Sequence, residues 1–117
     1  MPELQEMTLM RIFVSENDRS GKQPLFEALM ALLLKEGFSG ATVLKGAMGF
    51  GSSSIMHTDR ILRLSQDLPV VIEVVEEQAK IDAILPRIEA MFQGGLITLE
   101  KARVIRFGEK GFNDQSN

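Results

Sequence analysis

Cysteine, tryptophan and tyrosine are all missing from this chain of 117 residues, and histidine occurs once. Without cysteine there is no disulfide, no zinc finger and no thiol nucleophile. A single histidine excludes a polyhistidine metal site within one chain. No apolar run approaches the ~18 residues that a bilayer span requires. Positive charge is not in excess either: 13 Lys and Arg stand against 16 Asp and Glu, for a net charge of −3. That balance argues against a general affinity for nucleic acid or anionic membrane, while leaving room for a local basic patch. The opening residues MPELQEM lack the basic and apolar regions of a signal peptide, and a cytoplasmic location is the simplest reading.

What is present is an ordinary soluble composition, 44% hydrophobic and 25% charged. The length suits one domain, residues 1–117, able to bury a core without staples. The core is expected over about residues 8–107, with 1–7 and 108–117 as flexible tails.

Leu9–Val14 reads as a strand because Ile12, Phe13 and Val14 favour extended backbone. SENDRSGKQ follows as a polar loop. Pro24 then suits the start of a helix to about Glu36, with Leu25, Leu29, Leu32 and Leu33 on one broad face and Gly37 as its stop. A second strand is expected from Ala41 to about Gly46 or Met48. Val70–Val75, almost continuously apolar and β-branched, reads as a central strand covered on both faces. Glu76 and Glu77 suit the positive end of a second helix, in which Ile81, Ile84, Leu85, Ile88, Met91 and Phe92 share one face. Pro86 removes one of its backbone bonds, which predicts a kink. Gly94-Gly95 ends that helix. Leu96–Phe107 is the last strand, and Lys101 and Arg103 within it predict a bulge or an exposed middle.

The order β-α-β-β-α-β defines an α+β fold of the ferredoxin-like kind, a four-stranded antiparallel sheet with both helices on one face. Leu9–Val14 and Val70–Val75 carry apolar residues in both alternation phases. A lone subunit would leave one apolar sheet face wet, so an oligomer burying that face is expected.

The most distinctive stretch is Gly40–Val75, a strand, a glycine-studded connection and another strand. Connections of that length in a compact domain tend to be functional or disordered. Gly46, Gly49 and Gly51 cluster just before Ser52-Ser53-Ser54. Glycines so placed allow a close approach to a ligand, or equally a bulge that ends a strand. They lack the downstream Gly-Lys-Ser/Thr of a phosphate-binding loop. Lys45 is either a phosphate-neutralising cation or an ordinary surface lysine. Arg60 and Arg63 offer planar donor forks to an anion, or else solubilise Ile61, Leu62 and Leu64. His57 has no His or Cys neighbour, and no metal site is assigned to it. Ser52–Ser54 lack an oriented His/Asp pair, and Glu16, Asp18 and Glu73 show no paired-carboxylate pattern, so no catalytic residue is assigned.

The run ATVLKGAMGFG, the following SSSIMHTDRILRLSQDLPVVIEVV and the later GGLITLEKARVIR resemble a prokaryotic family of PII-like proteins, domain of unknown function 190. The resemblance covers about Thr8 to Arg106. It implies a ferredoxin-like fold assembled as a homotrimer with the sheets facing inward. It also implies a signalling role in the nitrogen regulatory PII superfamily, with a small effector such as an adenine nucleotide held in clefts between subunits. The connection between the second and third strands, Phe50–Gln66, would then present the signal to a protein target. Some members of the resembled family are associated with fluoride exporters and other membrane transporters. Lys45, Gly46, Gly49, Phe50 and Gly51 resemble the strand end and loop base that hold the nucleotide. Gly94 and Gly95 resemble the glycine-rich B-loop, and Arg103 and Arg106 the basic last strand that reaches the phosphates. Three features depart from the pattern. Leu96 stands where the B-loop lysine is found, the two arginines are three residues apart, and the absence of tyrosine excludes tyrosine-based regulation.

Two other classes fit less of the chain. A small trimeric enzyme acting on an anionic substrate would draw on Arg60, Arg63 and His57 at the subunit interface. An RNA-binding domain of this topology would stack bases on strand aromatics, but only Phe13 and Phe107 are available.

Overall fold

The computed structural model describes residues 3–50 and 67–108. In chain order come β1 (Leu4–Ser15), the short strands β2 (Arg19–Ser20) and β3 (Gln23–Pro24), α1 (Leu25–Lys35), β4 (Thr42–Lys45), β5 (Pro69–Glu76), α2 (Gln78–Met91) and β6 (Leu96–Ile105).

Strand periodicity sorts the side chains. In β1, Met10, Ile12 and Val14 are buried, whereas Leu9, Arg11 and Phe13 are half-buried on the opposite face. β5 repeats the pattern with Val70, Ile72 and Val74 buried. These six pack with Leu25, Leu29 and Leu33 of α1 and with Ile81, Ile84 and Ile88 of α2 in one core. Each such side chain stabilises the fold by roughly 1.5–3 kcal/mol when fully buried. Both helices therefore lie on one sheet face. The sheet order is β4-β5-β1-β6, with every neighbouring pair antiparallel. This is the ferredoxin-like arrangement that the element order implies.

α1 stops as its sequence predicts. Gly37 takes φ 80, and the N–H groups of Phe38 and Gly37 donate to the carbonyls of Leu33 and Leu34, both at 3.1 Å. That pair of bonds is a Schellman cap. α2 continues through Pro86 as a single helix. Asp82, whose carbonyl loses its partner at Pro86, is exposed, so water can satisfy it.

Three local expectations are corrected. Residues 4–7, expected in a flexible tail, form the start of β1, because β6 extends beside them and pairs Leu4 with Ile105. Of the two alternatives for β6 the exposed middle holds: Glu100, Lys101 and Arg103 are exposed, and the pairing runs one-to-one, without a bulge, from Phe13 with Leu96 to Leu4 with Ile105. Lys101 and Arg103 lie opposite Thr8 and Glu6 in that register. Part of the expected polar loop is the β2–β3 ribbon, which closes through Gly21 at φ 63. Glu76 does not cap α2; it ends β5, is buried, and accepts a hydrogen bond from Ser39 N–H at 3.2 Å.

The face away from the helices carries Leu9, Phe13, Val71 and Val75, all half-buried, and the more exposed Leu44 and Leu96. Arg11 lies at its centre. Its Nε donates to Glu73 Oε2 at 2.7 Å and its Nη1 to Glu100 Oε1 at 2.6 Å, so one ionic trio crosses three strands. Among the described residues no helix is long and apolar enough to cross a membrane.

Candidate functional site

The expected site centres on the end of β4. There Lys45 pairs with Val70 in the ladder, and the Gly46 N–H donates to the Pro69 carbonyl at 2.8 Å. A Cβ on Gly46 would meet Pro69 Cγ at 2.6 Å, and one on Gly49 would meet it at 3.0 Å. The Pro69 ring packing on the backbone leaves no room for a Cβ at Gly46 and makes one at Gly49 a tight contact. Phe50 lies beside them, 67% exposed.

Lys45 is not a free surface cation. Its Nζ lies 3.3 Å from Glu16 Oε2 and 5.7 Å from the centre of the Phe26 ring. Glu16 in turn binds the chain that enters β5. Its N–H donates to Leu68 O at 2.9 Å, and its Oε1 accepts from the Leu68 N–H at 3.2 Å. The Leu68 N–H holds the Glu16 carboxyl below its ordinary range; partial burial opposes this, and Lys45 adds to it. Ser15 Oγ and Asn17 Nδ2 both donate to Asp67 Oδ1, the latter at 3.1 Å. The turn after β1 therefore grips the chain where the β4–β5 connection begins and where it ends.

Gly94 and Gly95 lie at the same end of the sheet but on its opposite edge. Three strand spacings separate β4 from β6, about 14 Å. Gly95 takes φ 138, and a Cβ there would meet the Phe13 carbonyl oxygen at 2.7 Å. Gly94 has open space around it. Arg106 follows β6 at the other end of the sheet, about 36 Å along the strand from Gly95. Its Nη2 lies 3.7 Å from Met7 Sδ. Arg103 is exposed on β6. Gly51, Arg60 and Arg63, with His57 and Ser52–Ser54, lie outside the described residues. Among the described residues no group of His, Cys, Asp or Glu side chains gathers as a metal centre.

One protomer thus joins Lys45, Gly46 and Gly49 around Pro69 and keeps Gly94-Gly95 and Arg106 apart from them. Sequence reasoning missed Glu16, Leu68, Pro69 and Phe26 as parts of this region. SENDRS reads as a generic polar turn, and nothing local in it signals a bond to Lys45.

The sheet is four-stranded and ferredoxin-like, and the end of β4 before the β4–β5 connection is lined by Gly46 and Gly49. Residues 7–104 match the DUF190 family, described as Uncharacterized ACR, COG1993, and the chain belongs to that family. A UPF0166 protein of Aquifex aeolicus (strain VF5) is 35% identical over 97 residues, 83% of this chain and 91% of that protein. The UPF0166 protein MJ1524 of Methanocaldococcus jannaschii is 35% identical over 99 residues, 84% of this chain and 91% of its own length. Among solved structures, the fold is similar to CPII, a nitrogen regulatory PII-like protein from Thiomonas intermedia K12, bound to ADP, AMP and bicarbonate. The TM-score is 0.62 at 15% identity, covering 87% of this chain and 98% of that one. A PII-like protein of Thermus thermophilus also matches with a TM-score of 0.62, at 20% identity over 93% of this chain and 98% of the other. The chain has a PII-like fold.

Proposed function

We propose that this protein is a PII-like regulator. It binds a small anionic effector, with adenine nucleotides as the first class to test, and signals to a partner protein through the β4–β5 connection. The observation that carries this reading is the end of β4. A lysine, two glycines packed against Pro69 and an exposed Phe50 converge where the long connection leaves the sheet. Fold similarity to a protein solved with ADP and AMP supports the nucleotide class.

The remaining expected residues support a site shared between copies. Gly94-Gly95 sit about 14 Å from β4, and Arg106 is at the far end of the sheet, so residues from different subunits must meet to complete one pocket. The apolar open face around Arg11 gives a reason for copies to associate, and a homotrimer with inward sheets would cover it. The protein target is of unidentified class, a membrane transporter being the kind that the resemblance suggests.

Calorimetry of the full chain with ADP, AMP and ATP, paired with sedimentation velocity, tests both parts. A trimer that takes up at least one nucleotide at a site weakened by Lys45→Ala is expected. A stable, folded monomer that binds none of them overturns the reading.

A further inference from the structure

Two donors converge on the Glu16 carboxylate: the Leu68 N–H on Oε1 at 3.2 Å and the Lys45 ammonium on Oε2 at 3.3 Å. A backbone N–H and a lysine ammonium are also the donors with which proteins hold phosphoryl oxygens. If Lys45 serves an anionic effector, as proposed for this protein, Glu16 is an internal anion seated on the donors that the effector would use.

The turn that presents it is braced. Ser15 N–H donates to Asp18 Oδ2 at 2.9 Å, and Asp18 N–H donates to Ser15 O at 3.0 Å. The Glu16 side chain is 21% exposed, whereas Lys45 is 52% exposed. The lysine can swing toward an incoming ligand more readily than the carboxylate can leave. The aromatic face of Phe26 keeps the ammonium near this position.

We propose that Glu16 is a built-in competitor for Lys45 that sets the affinity and charge selectivity of the effector site; the role rests on the effector-binding function proposed for the end of β4. Without effector its carboxylate neutralises the ammonium. A phosphorylated effector must draw Lys45 away and accept the residual repulsion of Glu16. The repulsion grows with the ligand's own charge, so Glu16 weakens binding of a nucleoside diphosphate more than that of the monophosphate.

The test is calorimetry with ADP and AMP on the wild type, Glu16→Gln, Lys45→Ala and the double variant. Gln keeps an oxygen for the Leu68 N–H but removes the charge that competes for Lys45. Glu16→Gln is expected to tighten ADP binding about three- to fivefold, the scale of a partly exposed ion pair, with a smaller gain for AMP. Lys45→Ala is expected to weaken ADP binding and to shrink the gain from Glu16→Gln. Should Glu16→Gln fail to fold, Glu16→Ala carries the same test: it removes the same charge from beside Lys45, and tighter ADP binding is again expected. Unchanged or weaker binding in the folded variant, with a wild type that binds ADP, overturns the competitor role and leaves the effector function standing. Absence of nucleotide binding in both the wild type and Glu16→Gln overturns the effector function and the competitor role together.

Discussion

Gly94 and Gly95 are adjacent and identical in composition, yet they answer to different constraints. Gly95 combines φ 138 with a carbonyl oxygen 2.7 Å from where a Cβ would sit, whereas Gly94 faces open space. Gly95→Ala is expected to destabilise the fold by about 1–3 kcal/mol, the scale of a backbone forced into a glycine-only region. Gly94→Ala should stay within about 0.5 kcal/mol of the wild type. Urea unfolding midpoints of the two variants check the contrast. Gly46 and Gly49 stand out in the sequence, but the cause of their constraint does not. That cause is the Pro69 ring, which the chain supplies only after the whole β4–β5 connection. Glu16 is hidden for a similar reason. A carboxylate in a polar turn looks solvated until the fold brings Lys45 and Leu68 to its two oxygens.

Elements with strong periodicity are legible in the sequence. The leucines of α1, the isoleucines of α2 and the β-branched run of β5 each point one face at the same core, and their order alone implies the sheet topology. Elements defined by their partners are not. Residues 4–7 have too few apolar side chains to announce a strand and are extended because β6 runs beside them. The β2–β3 ribbon depends on a single glycine turn within a polar stretch. Pro86 sits inside α2. The proline does not divide α2, since the packed face of Ile81, Ile84 and Ile88 holds both halves against the sheet. Pro86→Ala restores an N–H toward the Asp82 carbonyl on the exposed side of the helix. It is expected to stabilise the protein by about 1–2 kcal/mol, read as a higher urea midpoint with an unchanged slope.

At the scale of the molecule, the apolar open face is interrupted by the Arg11 trio, one cation between two carboxylates. Charges at the centre of an association surface restrict which arrangements of copies leave every charge paired. β6 sets a second limit on association. It is the last strand in the sheet order, so within a protomer its outer rim presents ten residues of backbone with no strand beside them among the described residues. Such rims template fibril growth unless charge deters the next strand. Lys101 and Arg103, both exposed, place positive charge on this strand. Replacing both with Val is expected to leave the fold intact while making the protein seed thioflavin-positive fibrils on standing. Clear, monodisperse solutions of the double variant would show instead that the rim is guarded by something other than its two cations.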